Sequence, residues 1–205
     1  MSWWRDQVVP RATDMVLDAA EFHAQRRRVC EGLAGEVVEL GFGSGLNLQH
    51  LPGEVRRVAA VEPSEVAWRR ALPRIARCTA EVVRAGLDGQ RLTLPSEGVD
   101  AALSTFTLCT IPDLDAALRE VHRVLRPGGS LHFLEHGRAP TSGIARWQDR
   151  LQPVWGPVAA GCHLNRRIDE HVAGSGLRLE QLETSYGMGP RVFGYLYLGR
   201  ATKPS

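Results

Sequence analysis

Apolar residues in this chain come in short runs: Val37–Leu40, Val58–Val61, Val82–Ala85, Ala101–Thr105 and Leu131–Leu134, each bounded by Gly, Pro or charge. Runs of this length read as buried strands, and the stretches between them carry helical spacing, so the pattern predicts βαβ units and a parallel sheet. The clearest helix is Leu114–Leu125, where Leu114, Leu118, Val121 and Leu125 share one face and Arg119, Glu120 and Arg123 fall elsewhere. Arg126-Pro127-Gly128-Gly129 is expected to stop it and turn the chain into the next strand. After Leu134 the pattern predicts a helical region rich in Trp, a Pro/Gly interruption over 153–161, and a helix from about Arg166 to Ala173 that Gly174 and Gly176 end. Leu177–Leu182 and Val192–Leu198 close the series and are expected to pair antiparallel at one sheet edge. In the first 30 residues Trp4, Val8, Met15, Ala19 and Phe22 roughly follow one stripe, which predicts a helical lid across the carboxyl edge of the sheet.

Composition narrows the function. The 205 residues carry a net charge of only +2, with basic residues spread along the chain, which removes the electrostatic case for nucleic acid or an anionic membrane as the main partner. Cys30, Cys78, Cys109 and Cys162 stand far apart with no C-x-x-C pair, so neither a disulfide framework nor a structural zinc is expected, and no metal is assigned. The N-terminus offers no apolar run of signal-peptide type, and residues 151–165 are uncharged but too short to span a bilayer and hold two prolines. The expected location is the cytoplasm, with at most peripheral membrane contact and the oligomeric state open.

The chemistry begins where Val37-Val38-Glu39-Leu40 runs into Gly41-Phe42-Gly43-Ser44-Gly45, after which Leu46–Leu51 can begin a helix. Strand, glycine turn and helix let a backbone approach a nucleotide-like ligand closely. Glu62 follows Gly41 by 21 positions, at the end of the next strand, where a carboxylate can accept hydrogen bonds from both ribose hydroxyls. The glycine spacing is G-x-G-x-G, not the G-x-G-x-x-G of dinucleotide folds, and an acidic residue stands two places before it. A pyrophosphate disfavours nearby negative charge, whereas a ligand with an amino group and a sulfonium cation suits Glu39.

At this point the sequence resembles the class I S-adenosylmethionine-dependent methyltransferases of the type 11 kind, whose first motif is E-x-G-x-G-x-G. The resemblance implies an α/β, Rossmann-like, seven-stranded and mostly parallel sheet, with helices on both faces and an antiparallel last strand. It implies a helical lid at 1–34 and a cofactor-binding methyltransferase domain at 35–205, one domain overall. S-adenosylmethionine is the implied cofactor and S-adenosylhomocysteine its product, with Glu39, Gly41, Gly43, Gly45, Asn47, Glu62 and Pro63 at the cofactor. Leu87-Asp88-Gly89 falls where the family reaches the adenine, which puts Asp88 and Gly89 there, and Ser104–Cys109 matches the motif lining the methyl-donor pocket, which adds Thr105 and Phe106. Glu120–Gly129 is similar to the family's later signature. A narrower resemblance runs through Thr107-Leu108-Cys109, Leu134-Glu135-His136, Trp147-Gln148, Pro153-x-Trp155, Gly161-Cys162 and Arg166, and is similar to the methyltransferase-like alkyl thiol methyltransferases. Phe42 departs from the small residue many relatives carry.

Methyl transfer is an in-line displacement at a sulfonium carbon, so the protein mainly holds nucleophile and methyl group together and excludes water. His136 ends the fifth strand and is the candidate base or substrate-orienting group, against the alternative of a histidine bonded within its own turn. Glu135 either supports backbone or touches substrate. Leu108, Trp147, Trp155, His163 and Arg166 are candidates for the substrate side, Arg166 as an anion binder or a loop cap and the tryptophans as pocket wall or core. Cys109 and Cys162 read as packing, and Arg26-Arg27-Arg28 as a solvated helix face. The expected function is methylation of a small, apolar molecule, a thiol first, then a quinone ring or lipid amine. The alternatives are a non-catalytic cofactor-binding protein and a NAD-dependent oxidoreductase, which the glycine spacing disfavours.

Overall fold

The computed structural model describes residues 17–159, 161–187 and 189–205. The strands are β1 (Gly35–Leu40), β2 (Val55–Val61), β3 (Glu81–Gly86), β4 (Val99–Thr105), β5 (Leu125–His136), β6 (Arg178–Tyr186) and β7 (Tyr195–Thr202). They form one sheet in the order β3-β2-β1-β4-β5-β7-β6, parallel from β3 to β5, with β7 antiparallel to both β5 and β6. The helices are α1 (Ala20–Cys30), α2 (Glu65–Ile75), α3 (Leu114–Val124), α4 (Ser142–Val158) and α5 (Ile168–Gly174). The expected mostly parallel sheet with an antiparallel end is present.

Side-chain alternation along the buried strands divides the core in two. Val37, Val58, Ala60, Leu103 and Leu134 face a cluster completed by Val29 and Cys30 of α1 and Ala71 of α2. Val38, Leu40, Ala102 and Phe133 face the other side, where Leu118 and Val121 of α3 and Ile168 and Val172 of α5 cover them. Helix starts follow local chemistry: Ser64 Oγ accepts Ala67 N–H at 3.2 Å to cap α2, and Asp113 Oδ1 accepts Ala116 N–H at 2.9 Å to cap α3.

Some boundaries differ from expectation. Leu46–Leu51 forms only a 3₁₀ turn at Leu48–His50, because Pro52 has no N–H to continue a helix and disfavours helical backbone before it. Helix α4 runs through Pro153 and Pro157 instead of breaking there. Both prolines lie on its exposed side, so the carbonyls they leave unpaired, at Asp149 and Pro153, face water. The chain then turns at Gly161, whose φ is 92°. The last strand starts at Tyr195, not Val192. Residues 1–16, with Trp3, Trp4 and most of the N-terminal stripe, lie outside the described residues. Among the described residues no helix is long and apolar enough to cross a membrane.

Candidate active site

The strand order reverses between β1 and β4, where connections leave the sheet in opposite directions and open a crevice at the carboxyl edge. A cleft of about 680 Å³ occupies this place. Gly41, Gly43 and Asn47 line it after β1, Glu62 and Pro63 after β2, Asp88 and Gly89 after β3, Thr105 and Phe106 after β4, and His136 after β5.

Two of the glycines show why the turn needs them. Gly41 has φ of 65°, and a Cβ there would enter the Thr107 side chain, 2.7 Å from its Cβ. Gly43 has φ of 58° and borders the cleft with open space, its nearest atom to an added Cβ being Gly41 O at 3.8 Å. Glu62 pins this loop: Oε2 accepts Gly43 N–H and Oε1 accepts Ser64 N–H, each at 2.7 Å. The carboxylate is 6% exposed, and burial raises its pKa above the usual range against the pull of those two bonds and Arg84.

Behind the loop lies a buried polar network. Asn47 Nδ2 donates to Glu39 Oε1 at 2.7 Å and to Thr105 Oγ1 at 3.0 Å. Arg26 Nη1 donates to Asn47 Oδ1 at 2.7 Å and to Thr105 Oγ1 at 3.0 Å. Arg26 is 2% exposed and Glu39 1%. Glu39 Oε2 is buried without a hydrogen-bond partner among the described residues, and burial pushes the carboxyl up to about 8. The reading of Arg26-Arg27-Arg28 as a solvated face is corrected here: Arg27 and Arg28 are exposed, but Arg26 anchors α1 to the glycine loop. A signal was present, since Phe22, Arg26, Val29 and Cys30 follow helical spacing and put one cation on the apolar stripe.

At the other end the loop after β4 is held from below. Glu135 is fully buried and accepts Ser104 Oγ–H at 2.7 Å, Thr107 N–H at 3.0 Å and Cys109 N–H at 3.2 Å. It therefore supports backbone. Burial raises its pKa against those bonds. Phe106 takes a left-handed φ of 55°, a conformation costly for a bulky side chain. Its ring packs on His136 with centroids 4.9 Å apart and meets Phe22 of α1 edge-on at 5.3 Å. Trp155 lines the cleft, stacked on Phe193 at 4.4 Å, and its Nε1 is buried without a hydrogen-bond partner among the described residues. Cys109 and Cys162 also line the cleft, with sulfurs 3.7 Å apart. Hydrogen bonding to Cys109 and His136 holds the Cys162 thiol down, while Cys109 is pushed up.

The remaining candidates stand off the cleft. Gly45 packs beneath Phe42 and Leu48, and Leu108 is fully buried in the core. His163 N–H donates to Cys109 O at 2.8 Å, and Arg166 donates to Leu108 O at 2.6 Å and Pro112 O at 3.1 Å, so both brace the 107–112 loop. The bonds of Arg166 go to that distant loop and not to the one that precedes it, where a cap was expected. Trp147 is 57% exposed on the outer side of α4, with the Arg150 guanidinium 5.6 Å from its ring centroid. Its neighbour Gln148 turns inward, accepting Ala139 N–H at 2.9 Å and donating to Gly137 O at 3.1 Å and Val192 O at 3.2 Å.

A Rossmann-like sheet with a glycine turn after β1 and a carboxylate after β2 defines a nucleoside-binding α/β protein. Residues 38–133 match the methyltransferase domain family. Human thiol S-methyltransferase TMT1A is 31% identical over 171 residues, covering 78% of this chain and 69% of that protein. Human thiol S-methyltransferase TMT1B is 35% identical over 143 residues, covering 66% of this chain and 57% of that protein. The ubiquinone/menaquinone biosynthesis C-methyltransferase UbiE of Caulobacter sp. (strain K31) is 40% identical, over 34% of this chain and 29% of its own. Among solved structures, an S-adenosylmethionine-dependent methyltransferase from Thermotoga maritima superposes with a TM-score of 0.67 at 20% identity, covering 97% of each chain. Geranyl diphosphate methyltransferase in complex with S-adenosylmethionine gives 0.68 at 15% identity, covering 90% of this chain and 88% of that one. The chain belongs to the class I S-adenosylmethionine-dependent methyltransferases and is similar to the thiol S-methyltransferases.

Proposed function

We propose that the protein transfers a methyl group from S-adenosylmethionine to the sulfur of a small, apolar thiol. The observation that carries the reading is the distribution of charge in the cleft. Among the described residues that line it, the formally charged ones are Arg26, Glu62 and Asp88, which stand with α1 and after β2 and β3, whereas in the other half the lining residues of the 107–112 loop, His136, Trp155, Ala159 and Cys162 include no Asp, Glu, Lys or Arg. Such a wall suits an uncharged substrate. Similarity supports the same choice: an alignment over 78% of the chain reaches beyond residues 35–136 into the segments that build this half, whereas the UbiE match spans 34%.

The residues at the charged end fit the cofactor. Open space stands over Gly43, Glu62 keeps lone pairs beyond its two backbone donors, and Glu39 has an unpartnered oxygen. Glu62 would hold the ribose hydroxyls, Asp88 and Gly89 the adenine, and Gly41, Gly43, Asn47 and Thr105 the amino acid portion, with Glu39 orienting Asn47 from behind. S-adenosylmethionine supplies an electrophilic methyl carbon on a positively charged sulfur. Phe106 and Trp155 exclude water from the apolar half. His136 is the group that meets the substrate nucleophile, and a thiol needs little help to ionise, because its thiolate is accessible near neutral pH.

The test is transfer of labelled methyl from S-adenosylmethionine to hydrogen sulfide, small alkyl thiols, quinols and ethanolamine lipids, with S-adenosylhomocysteine binding followed in parallel. Methylation of thiols in preference to the rest is expected. Turnover of quinols or lipid amines alone would overturn the thiol assignment, and cofactor binding without transfer to any of them would leave a binding protein.

A further inference from the structure

The apolar half of the cleft holds one concentration of soft donor atoms. One ligand atom each from Cys109, His136 and Cys162 lies within 4.8 Å of the others, and the two sulfurs are 3.7 Å apart. Two sulfurs bound to one tetrahedral Zn²⁺, each at about 2.3 Å, would stand about 3.8 Å apart. We propose that Cys109, Cys162 and His136 form a three-ligand site for a thiophilic divalent cation of the zinc type, its fourth position open to the cleft and taken by the substrate thiol. The occupant of that position rests on the thiol reading above; the cation site does not.

The arrangement matches what such a site needs. Three protein ligands with a vacancy characterise catalytic zinc, whereas structural sites close with four. All three residues border the cleft, so the vacancy can face substrate. Each ligand is braced by contacts outside it, which fix its direction before an ion arrives. Cys109 N–H donates to Glu135 at 3.2 Å and its carbonyl accepts His163 N–H at 2.8 Å. Cys162 N–H donates to Ala159 O at 2.9 Å and its carbonyl accepts Gln152 Nε2 at 3.0 Å. The His136 ring rests against Phe106. Two thiolates balance the charge of the ion, so the wall stays neutral around an apolar substrate. The unpartnered Trp155 N–H is the kind of donor a metal-bound thiolate accepts. Sequence spacing hides the cluster, because 53 positions separate the two cysteines.

The chemistry balances. A substrate thiol loses its proton to solvent on taking the vacant position, since a cation of this kind keeps a bound thiol ionised. Its sulfur forms the new S–CH₃ bond as the bond from methyl carbon to the sulfonium sulfur breaks, and that electron pair stays with the departing sulfur. The products are a thioether and neutral S-adenosylhomocysteine, and the thioether, no longer an anion, leaves the cation.

Cobalt(II) is the probe. The full chain, reduced and stripped with a chelator, is titrated with Co²⁺ without oxygen, and the absorption of thiolate-bound, four-coordinate cobalt is followed. One Co²⁺ per chain is expected, displaced by Zn²⁺, with a spectrum that a small alkyl thiol shifts. Cys109→Ser and Cys162→Ser should each cost more than the roughly 10–100-fold typical of losing an outer partner, and His136→Ala should weaken binding and alter the spectrum. Retained S-adenosylhomocysteine binding in these variants shows that they fold. The proposal is overturned if reduced protein gives no thiolate–cobalt absorption, or if both serine variants keep it. It is also overturned if metal-free protein from cells carries a Cys109–Cys162 disulfide and takes no Co²⁺ once reduced, which would make the pair a redox element. Cobalt that binds as expected while thiols neither shift the spectrum nor accept methyl would refute the thiol reading and leave the cation site standing.

Discussion

Glu39 allows a quantitative test of the buried network. Removal from water pushes its carboxyl from an ordinary 4.5 to about 8, with the Asn47 hydrogen bond and the Arg26 charge pulling the other way and Glu62 adding to the rise. The folded value lies above the unfolded one, so between them the native state holds a proton that the unfolded chain has lost. The contribution of Glu39 to stability is therefore complete below pH 4.5 and is lost as the pH rises through about 8. A displacement of this size corresponds to something on the order of 5 kcal/mol. Glu39→Gln keeps an oxygen to accept from Asn47 and is neutral at every pH, so it removes this dependence alone. His50 and His132, which burial pushes the opposite way, titrate equally in both proteins and cancel in the difference. Urea unfolding at pH 5 and pH 9 is the assay. The two proteins should be close at pH 5, and at pH 9 the variant should be more stable by several kcal/mol, or roughly 10–15 °C in Tm for a domain of this size. Stability curves that stay parallel from pH 5 to pH 9 would show that Glu39 is not buried as a neutral acid.

Three further outcomes follow from single contacts. Glu62→Gln puts an amide N–H against the N–H of Gly43 or Ser64, and loss of hydrogen bonds to a charged group at about 1.5–3 kcal/mol should weaken S-adenosylhomocysteine binding by roughly 10–100-fold in calorimetry; unchanged affinity would remove Glu62 from the cofactor. Arg26→Met should lower both Tm and cofactor affinity, because it strips two buried charge-donated bonds, about 1.5–3 kcal/mol each, from Asn47 and Thr105, whereas exposed Arg27→Met should leave both within about 0.5 kcal/mol. His136→Ala should cut turnover by roughly 10²-fold or more with S-adenosylhomocysteine affinity nearly unchanged, and loss of cofactor binding would instead make His136 a structural support for Phe106.

What the sequence could reveal depended on how far a feature's cause lay along the chain. Strands such as Val37–Leu40 and Ala101–Thr105 are buried on both faces, so their apolar runs declare themselves, and α3 shows its stripe because one side meets the core. The glycine turn and Glu62 were legible for a related reason, since Gly41 must take a positive φ wherever the chain bends this tightly, and Glu62 stands at a fixed distance beyond it. Arg26 obeyed no such local rule. It differs from Arg27 and Arg28 only in which way the helix turns it, and its burial is bearable because Asn47 and Thr105, 21 and 79 positions away, supply the acceptors. Trp147 and Gln148 show the same limit in reverse: the tryptophan, expected to wall the pocket, faces water, and the adjacent glutamine ties α4 to the backbone after β5 and before β7. Cys109 and Cys162 are the extreme case, two thiols dispersed in sequence and read there as packing, whose meeting depends on both the loop held by Glu135 and the turn at Gly161. Cofactor contacts made by backbone are written into local sequence because backbone geometry is local, while the substrate side is assembled from side chains brought together by closure of the whole fold. A useful search signal for that side is therefore the misfit rather than the motif: a charge on an apolar stripe, as at Arg26, or a bulky residue with left-handed backbone, as at Phe106.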